Sequence, residues 1–342
     1  MLRGGSFDLA LLDIMMPEID GYEVLRQMKA DPALRDIPVI MISALDEIAS
    51  VVRCIETGAE DYLNKPFDPV LLRARIGACL EKKRLRDQQK QAMDEAESLL
   101  KNILPAQVAG ELRERGEVEP RYFEDVTILF SDFVGFTRAT EELAAEELVA
   151  LLHRYFTAFD QIVGRYRLEK LKTIGDSYML AGGLPERNPS HPVDAVMAAF
   201  EMVKAVEDIS AEGTPWKVRI GIHTGPVIAG VVGIKKFAFD VWGETVNFSS
   251  RMESSGSPNR VNLSARAYSR VKDFFECEPR GQVTTKEGKA YEMYFAKGIH
   301  PKLVSGIAGA VPAAFERRYR IYFQKSPPAF PGFLLDSKAT PA

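Results

Sequence analysis

Two apolar stretches each contain an aspartate whose carboxylate could hold a cation. Residues 126–137 are VTILFSDFVGFT, and residues 171–180 are LKTIGDSYML. Both are rich in β-formers, which predicts buried strands with Asp132 and Asp176 at their ends. A Gly-Asp pair between two β runs also indicates a tight hairpin. A single aspartate of this kind is usually a turn or cap residue, but two on neighbouring strands suit two-metal phosphoryl-transfer chemistry.

The turn that follows Asp132 has the composition of a phosphate-binding turn. Gly135 lies between Phe133 and Phe136, and Thr137 comes next. A glycine in a tight turn lets several backbone N–H groups converge on one anion. We therefore expect an anion-binding turn directly beside a cation site.

A second group of polar residues ends three strand-like runs near the N-terminus. Asp13 ends FDLALLD, Ser43 ends IPVIMIS and Lys65 ends AEDYLNK. Apolar strands that alternate with helical patterns indicate a parallel α/β sheet with function at the carboxyl ends of its strands. The three side chains should therefore gather at one edge. A carboxylate, a hydroxyl and an ammonium group are suited to accepting and sensing a phosphoryl group.

Composition and charge are those of an ordinary globular protein with enough residues for two domains. The 342 residues are 46% hydrophobic and 27% charged, with a net charge of −4. No long basic block is present, which argues against nucleic-acid binding. The three cysteines are scattered without metal-ligand spacing, and neither a signal peptide nor an apolar run of membrane-spanning length is found. We expect a cytoplasmic protein with reduced thiols and no membrane span.

The patterns divide the chain into four segments. Residues 1–80 are expected to form a doubly wound, parallel α/β domain, 81–120 a helical linker, 121–298 an α+β domain and 299–342 a tail. The tail contains the basic aromatic stretch FERRYRIYF but no motif. We expect this stretch to pack on the domain or to form a short strand, with surface packing or disorder as the default for the tail.

The linker carries one heptad seam. Its core positions recur at alternating spacings of four and three, at Leu85, Gln89, Ala92, Ala96, Leu99 and Ile103. This spacing favours a parallel two-stranded coiled coil of marginal stability, which could shift when an upstream domain changes state. A single solvated helix is the alternative. Pro105 should end the helix.

Strands and helices are interleaved in residues 121–298. We expect one helix over about 138–164, between strands over 126–131 and 168–174. Tight glycine hairpins are expected at Gly175-Asp176 and near Gly225-Pro226. Hairpins of this kind predict an antiparallel-rich sheet in an α+β sandwich.

The N-terminal segment resembles the response-regulator receiver domain. The resemblance rests on DIMMPEIDGYEVL, on the strand end at Ser43 and on YLNKPF, at the spacing of that family. It implies that Asp13 is the phospho-acceptor, Ser43 the switch hydroxyl, Tyr62 the rotating aromatic and Lys65 the partner of the phosphoryl oxygens. It also implies an upstream histidine kinase as a partner.

The receiver resemblance has a gap at its front. The first strand of that family, with an acidic pair that binds Mg²⁺, has no counterpart, and neither do the first helix and second strand. By the five-strand order of this fold, roughly 45–50 residues lack a match. We expect either a fragment or mis-started form of a longer protein, or a relic receiver. Without the acidic pair, phosphorylation should be poor, and the sheet should expose an apolar edge.

Residues 121–298 resemble the catalytic domain of class III nucleotidyl cyclases. Five motifs match in order and spacing: FSDFVGFT, LKTIGDSYM, GIHTGPVIAGVVG, FDVWGETVNFSSRM and KEGKAYEMYF. The resemblance implies an α+β domain with a ferredoxin-like core. It also implies a head-to-tail dimer with active sites at the interface.

The resemblance gives roles to the strand-end residues. Asp132 and Asp176 would bind two Mg²⁺ or Mn²⁺ ions, with the Phe133 carbonyl as a further ligand. One ion would lower the pKa of the ribose 3′-hydroxyl, and the other would neutralise the triphosphate. The backbone of Gly135, Phe136 and Thr137 would hold the phosphates.

Three further residues match the family pattern around the substrate. Asn247 and Arg251 lie four apart on one helical face. Asn247 would orient the ribose, and Arg251 would stabilise charge on the α-phosphate in the transition state. Lys286 would bind the terminal phosphates. Taken singly, Arg251 and Lys286 would be interpreted as ordinary surface charge.

Two residues carry the choice of base. Lys172 and Asp240 match the adenine-reading positions of the family, where a guanylyl enzyme would resemble Glu and Cys. Lys172 can donate to adenine N1, and Asp240 can accept from the N6 amine. Guanine reverses this donor and acceptor pattern, so it would leave unpaired groups in the pocket. We therefore expect ATP rather than GTP as substrate.

The sequence thus predicts an adenylate cyclase that makes 3′,5′-cyclic AMP and pyrophosphate under receiver control. Some heterodimeric members carry a phosphate-binding arginine where this chain has Pro226. Because one chain carries both metal aspartates and the Asn247/Arg251 pair, a homodimer would build two equivalent sites. The alternatives are a guanylate cyclase or a catalytically silent signalling module. A diguanylate cyclase is disfavoured because no GGDEF motif occurs.

Overall fold

The structure, a computed structural model, describes residues 7–44, 48–211, 216–233, 235–286, 288–304 and 312–328. The chain divides into two compact units, residues 1–100 and 101–342. The elements of the N-terminal unit are β1 (Ala10–Asp13), α1 (Gly21–Ala30), β2 (Val39–Ser43), α2 (Ile48–Glu56), β3 (Asp61–Asn64) and α3 (Pro69–Lys101).

The N-terminal unit is built on a parallel sheet in the order β1-β2-β3. Asp13 pairs in register with Ile42, and Ser43 pairs with Asn64, so all three strands end at one edge. Gly21 starts α1 against this edge, where a Cβ would lie 2.3 Å from the Asp13 carbonyl oxygen. Only glycine permits so close an approach of helix and strand. The parallel arrangement expected from the sequence is therefore present in these three strands.

Helix α3 continues from the N-terminal unit as one helix of 33 residues. Two of its seam residues, Leu85 and Leu99, are 57% and 65% exposed in the single chain. Exposed leucines along one seam are compatible with a helical partner, but the coiled coil stays a prediction. The helix ends at Lys101, close to the end expected from Pro105.

The C-terminal unit contains most of the secondary structure. Its elements are α4 (Ala106–Arg115), β4 (Arg121–Val134), α5 (Phe136–Glu142), α6 (Ala145–Arg165), β5 (Glu169–Ile174), β6 (Ser177–Gly182), α7 (His191–Ser210), β7 (Lys217–Val232), β8 (Ala238–Trp242), α8 (Glu244–Ser254), β9 (Arg260–Ser264), α9 (Ala265–Val271), β10 (Phe275–Thr284), β11 (Ala290–Ile299), a short 3₁₀ helix (Pro301–Leu303) and α10 (Ala313–Phe323).

One mixed sheet organises the C-terminal unit. Its order is β10-β11-β9-β7-β4-β6-β5, and β8 pairs with β7. Neighbouring strands are antiparallel except for β7 and β9, which are parallel. This arrangement confirms the expected antiparallel-rich α+β sheet. It also places the ends of β4 and β5 near each other across β6.

Side-chain alternation along β4 separates two faces of the sheet. Leu129 and Phe133 join the large core that includes residues of α6 and α7. Ile128 lies on the other face, beneath α8, where the Ser249 hydroxyl donates to its carbonyl oxygen at 2.6 Å. Helix α8 lies so close to β7 that a Cβ on Gly221 would be 1.9 Å from the Glu253 nitrogen. By alternation, Asp132 belongs to the α8 face.

Two expectations about this unit are wrong in detail. The single helix over about 138–164 is two helices, α5 and α6, which are separated at residues 143–144. No hairpin forms near Gly225-Pro226, because β7 runs through both residues. Proline lacks the N–H that a central strand normally donates, and Pro226 lies where the β4–β7 register shifts between Phe123 and Val126. The bulge therefore tolerates a residue that usually signals a turn.

The longest element in the described part of the tail is helix α10, which belongs to the core. In α10, Phe315 and Tyr319 are fully buried, and both rings contact Phe274. The Tyr319 hydroxyl donates to the buried carboxylate of Asp194 at 2.6 Å. The expected packing on the domain is therefore present, whereas the short strand is wrong. The aromatic rings recur at helical spacing, so one face of α10 can pack into the core. The default expectation of surface packing or disorder therefore does not hold for this helix.

Candidate active site

The two sequence-predicted metal carboxylates lie together. Asp132 is near the end of β4, and Asp176 is in the β5–β6 turn, which β4–β6 pairing through Ser131 and Tyr178 holds beside it. The Asp176 carboxylate accepts a hydrogen bond from the Phe133 backbone N–H. Burial, followed by the negative charge of Asp132, raises the pKa of Asp176. A cation between the two carboxylates would relieve both effects.

Both oxygens of Asp132 are held by neighbouring side chains. The Ser177 hydroxyl donates to Oδ1 at 2.8 Å, and Arg219 Nη2 donates to Oδ2 at 2.7 Å. The same guanidinium donates through Nε to Oε1 of Glu253 at 2.9 Å. Burial, with a contribution from Asp132, raises the pKa of Glu253 to about 7. One arginine thus serves two carboxylates, so this end of the sheet carries an excess of negative charge.

The donor set of this cluster fits a hard divalent cation. Carboxylate and backbone oxygens are the ligands that Mg²⁺ and Mn²⁺ prefer. Within the described ranges, no three His, Cys, Asp or Glu side chains are placed to share a metal. Any ion bound by Asp132 and Asp176 therefore needs further oxygens from backbone, water or substrate, as Mg²⁺ sites in phosphoryl-transfer proteins usually have.

Helix α8 presents its two predicted catalytic residues away from the sheet. Thr245, Ser249 and Met252 are buried at helical spacing against the strands. Asn247 is exposed, and Arg251 is partly exposed on the opposite side. The shared face expected from their spacing is therefore present.

The two predicted base-reading residues form an ion pair. Lys172 Nζ donates to Asp240 Oδ2 at 2.5 Å, which joins β5 to β8. Asp240 Oδ1 accepts from the Val241 N–H at 2.9 Å. The Lys172 side chain is 41% exposed and that of Asp240 is 17% exposed. A donor and an acceptor are thus held next to each other at a surface that solvent and ligands can reach.

The predicted phosphate-binding residues lie in two turns. Gly135 has a φ of +80°, a left-handed conformation that favours glycine, and Phe136 begins α5. The first N–H groups of a helix lack intrahelical acceptors, so Gly135, Phe136 and Thr137 are suitably placed for an anion. Lys286 is exposed in the β10–β11 connection, and its charge counteracts part of the pKa increase at Glu253.

In the N-terminal unit, two of the four residues predicted for the phosphoryl site, Asp13 and Lys65, are in contact. Lys65 Nζ donates to the Asp13 carboxylate, and this hydrogen bond is the main cause of the lowered pKa of Asp13. The Lys65 backbone N–H donates to the Ser43 carbonyl oxygen at 2.7 Å, and the Ser43 side chain is fully buried. Tyr62 is only 9% exposed and packs in the core of this unit.

A sequence profile decides the family. The profile described as the adenylate and guanylate cyclase catalytic domain matches residues 118–298, more than half of the chain. The chain belongs to this cyclase family. A second profile, the response regulator receiver domain, matches residues 1–77. Both resemblances expected from the motifs are thus confirmed, and the N- and C-terminal units can be called the receiver unit and the cyclase unit.

Relatives named as adenylate cyclase and as guanylyl cyclase both resemble this chain. It is 40% identical over 196 residues to an adenylate cyclase of Mycobacterium bovis, a match that covers 56% of this chain and 44% of that protein. It is 41% identical over 206 residues to guanylyl cyclase C of Cavia porcellus, covering 58% of this chain and 19% of that protein. The chain therefore matches less than half the length of either relative.

A solved structure shows the same fold. The adenylyl cyclase CyaB from P. aeruginosa superposes with a TM-score of 0.51 at 29% identity, covering 54% of this chain and 99% of that one. The cyclase fold expected for the C-terminal unit is therefore confirmed. Among the described residues, no helix is long and apolar enough to cross a bilayer.

Sequence reasoning missed three residues around the carboxylates: Ser177, Arg219 and Glu253. A charged residue within the apolar strand VRIGI is one signal that could have identified Arg219. The register partner of Arg219 on the neighbouring strand β4 is Asp132. The partners of Glu253 and Ser177 follow only from the tertiary arrangement, because nothing in their local sequence distinguishes them from surface polar residues.

Proposed function

We propose that this cyclase converts ATP to 3′,5′-cyclic AMP and pyrophosphate at the interface of a homodimer. The observation that carries the choice of ATP is the Lys172–Asp240 ion pair. It supplies one donor and one acceptor side by side, as adenine N1 and the N6 amine require. Because groups placed to hydrogen-bond one base are left unpaired by the other base once the ligand covers them, the pair would disfavour guanine.

The carboxylate cluster supports the catalytic half of the proposal. Asp132 and Asp176, with the Phe133 backbone, would hold two Mg²⁺ or Mn²⁺ ions. When bound, these ions would activate the ribose 3′-hydroxyl and neutralise the triphosphate. The turn from Gly135 to Thr137 would orient the phosphates through backbone N–H groups.

The remaining groups would position the substrate for in-line attack of the 3′-oxygen on the α-phosphorus. Asn247 would orient the ribose, and the Arg251 guanidinium would stabilise charge that develops on the α-phosphate. Lys286 would bind the terminal phosphates. Reactions of this kind depend mainly on positioning and charge neutralisation.

The placement of α8 supports a site shared between two chains. Asn247 and Arg251 are on the side of α8 that faces away from the sheet, whereas Asp132 lies on the sheet. In a head-to-tail homodimer, each site would combine the carboxylates of one chain with the α8 residues of the other. Two equivalent sites would result, because each chain carries both sets.

Regulation would come through residues 1–80 and the 81–120 linker. We propose that Asp13 is the phospho-acceptor of a histidine kinase, with poor phosphorylation unless the Mg²⁺-binding acidic pair is supplied. Ser43, Tyr62 and Lys65 would then respond, and a coiled coil would transmit the change to residues 121–298. In this proposal the protein is cytoplasmic and residues 299–342 are the tail. A guanylate cyclase is the second candidate, because the guanylyl cyclase relative is as similar as the adenylate cyclase.

Nucleotide turnover by the purified chain tests the proposal. ATP and GTP are supplied in parallel, with Mg²⁺ or Mn²⁺, and Asp132→Ala is the control. Cyclic AMP from ATP, little product from GTP and loss of activity in the control are the expected results. Cyclic GMP as the main product would transfer the proposal to the guanylate candidate. No cyclic nucleotide from the folded dimer under any condition would overturn it.

A further inference from the structure

Arg219 joins the predicted metal site to the helix that carries the predicted transition-state residues. Its Nη2 donates to Asp132 on β4, and its Nε donates to Glu253 in the last turn of α8. The three side chains are 27%, 19% and 10% exposed, respectively, so most of this contact is shielded from solvent. A partly buried ion pair is screened less than a surface pair, so salt weakens these two contacts little.

The backbone around this contact leaves little slack. Register pairing between β4 and β7 places Asp132 opposite Arg219. On β7, Gly221 allows α8 to approach until a Cβ there would be 1.9 Å from the Glu253 nitrogen. The strand thus holds one end of the contact, and the helix holds the other. A change in the hydrogen bond from Arg219 to Asp132 is therefore expected to alter the one from Arg219 to Glu253.

We propose that Arg219 is a positioning residue that couples cation binding at Asp132 to the hold on α8. A cation bound by Asp132 competes for the oxygen to which Arg219 donates. As that hydrogen bond weakens, more of the guanidinium charge becomes available to Glu253, and the last turn of α8 is held more tightly. Glu253 is two residues from Arg251, so the bound cation would help to fix the helix that presents Arg251. The inference rests on the proposed metal site.

The coupling gives a second consequence in a head-to-tail dimer. Asp132 of one chain would serve one active site, while α8 of the same chain would serve the other. Arg219 would then link the cation content of one site to the geometry of its twin. Coupling between sites is reciprocal, so substrate bound against α8 should also change the affinity for the cation at Asp132.

Hydrogen exchange with Mn²⁺ as the only ligand tests the coupling without catalysis. In the full chain, we expect Mn²⁺ to slow amide exchange in the last turn of α8 by about fivefold or more, the low end of typical coupling. In Arg219→Gln, and in Arg219→Lys, which keeps the charge but loses the forked geometry, the slowing should fall below about twofold. Retention of the wild-type response in both variants would overturn the coupling.

Arg260→Gln is the matched control. Arg260 is the register partner of Arg219 on β9, but its guanidinium donates to Glu278 and stacks on Phe295. The control removes the same charge from the same row of the sheet and should keep the full Mn²⁺ response. Loss of the response in this variant would show a general charge effect and would overturn the specific role of Arg219.

A separate titration distinguishes failure of the coupling from failure of the metal site. Mn²⁺ binding is followed by water-proton relaxation in the wild type and in Asp132→Asn. Weaker binding in Asp132→Asn by about tenfold or more would support the site, since a charged ligand is lost. Equal binding would overturn the metal site and the coupling together. Arg219 variants that bind Mn²⁺ but lack the helix response would support the coupling.

Discussion

In both the receiver and the cyclase unit, an aspartate at the end of a strand is paired with a basic side chain. The two units neutralise the charge of that aspartate to different extents. In the receiver unit, one carboxylate, Asp13, faces one ammonium group, Lys65. In the cyclase unit, one guanidinium is divided between Asp132 and Glu253, and a further carboxylate crowds Asp132. The first arrangement is close to neutral, whereas the second retains excess negative charge.

This difference shows in the acidities. The hydrogen bond from Lys65 lowers the pKa of Asp13. Burial and the charge of Asp132 raise the pKa of Asp176. A balanced pair needs no further ion, while crowded carboxylates are stabilised by one. A bound cation would therefore stabilise the carboxylates of the cyclase unit more than those of the receiver unit. We expect substitutions in the cyclase unit to have the larger effects on activity.

Complementation between two inactive variants should give the largest effect. Asp132→Ala and Arg251→Ala should each lower the turnover number by about a thousandfold, because charge stabilisation is lost. Mixed and reassociated, they should recover about a quarter of wild-type activity, since random pairing makes half of the dimers mixed, each with one intact site. Initial rates of cyclic nucleotide formation measure this recovery.

The double variant Asp132→Ala/Arg251→Ala is the control for the mixing experiment. Mixed with the wild type, it should form dimers in which each site lacks one group, and it should not complement either single variant. Recovery below about a hundredth of wild-type activity in the first mixture would contradict a site built from two chains.

The Lys172–Asp240 ion pair of the cyclase unit should determine which base the site accepts, rather than how fast the reaction runs. Replacing Lys172 by Glu and Asp240 by Cys should shift the ratio of kcat/KM for ATP over GTP by about a hundredfold toward GTP. The turnover number with the better nucleotide should fall much less. Steady-state kinetics with both nucleotides measure the ratio. An unchanged ratio in an active variant would remove the pair from base recognition.

A half-buried glutamate on β5 should produce a smaller, pH-dependent effect on stability. Burial raises the pKa of Glu169 to about 7, whereas an unfolded glutamate titrates near ~4.3. The folded state thus binds the proton more tightly, and its stability falls as pH rises from about 4.3 to 7. Glu169→Gln should match the wild-type melting temperature at pH 4.5 and exceed it by a few degrees at pH 8, by differential scanning fluorimetry.

Glu114→Gln is the control for the melting-temperature measurement, because Glu114 is exposed on α4. This variant should shift the melting temperature equally little at both pH values. If Glu169→Gln were no more stable than the wild type at pH 8, the half-buried carboxyl group of Glu169 would not be the source of the pH dependence.

Substitution of the receiver aspartate should have the smallest effect. Because Asp13 is already balanced by Lys65, Asp13→Asn should change the basal rate by less than about twofold, below typical allosteric coupling. Rates at matched protein concentration provide the measurement, and Asp36→Asn on the surface is the control. A change of fivefold or more, absent from the control, would show that the charge at Asp13 already controls the cyclase unit.

Local sequence predicted those site residues that sit in recognisable turns. The SerAsp strand end and the Gly-Asp hairpin placed Asp132 and Asp176, and the two residues do meet. Lys172 and Asp240 lie 68 positions apart, and their shared role in base reading was expected from family resemblance, whereas their ion pair became visible only in the structure. Roles in catalysis remain predictions for all four residues.

Other features depend on tertiary context that the local sequence does not contain. Gly225-Pro226 has the composition of a turn, yet a register shift on the facing strand allows β7 to run through it. Arg219 would be an ordinary strand charge without Asp132 and Glu253 around it. No sequence motif predicted the burial of the aromatic rings of α10, because their partners, including Phe274, belong to a different part of the chain.

The packing of α10 has a practical consequence for isolating the catalytic part. The family match ends at residue 298, but Phe315 and Tyr319 complete the core beyond that point. A fragment cut after residue 298 would expose the rings they cover and leave Asp194 without its tyrosine partner. Such a fragment would be prone to aggregate and could be mistaken for an inactive enzyme. Expression boundaries should therefore extend past Phe323.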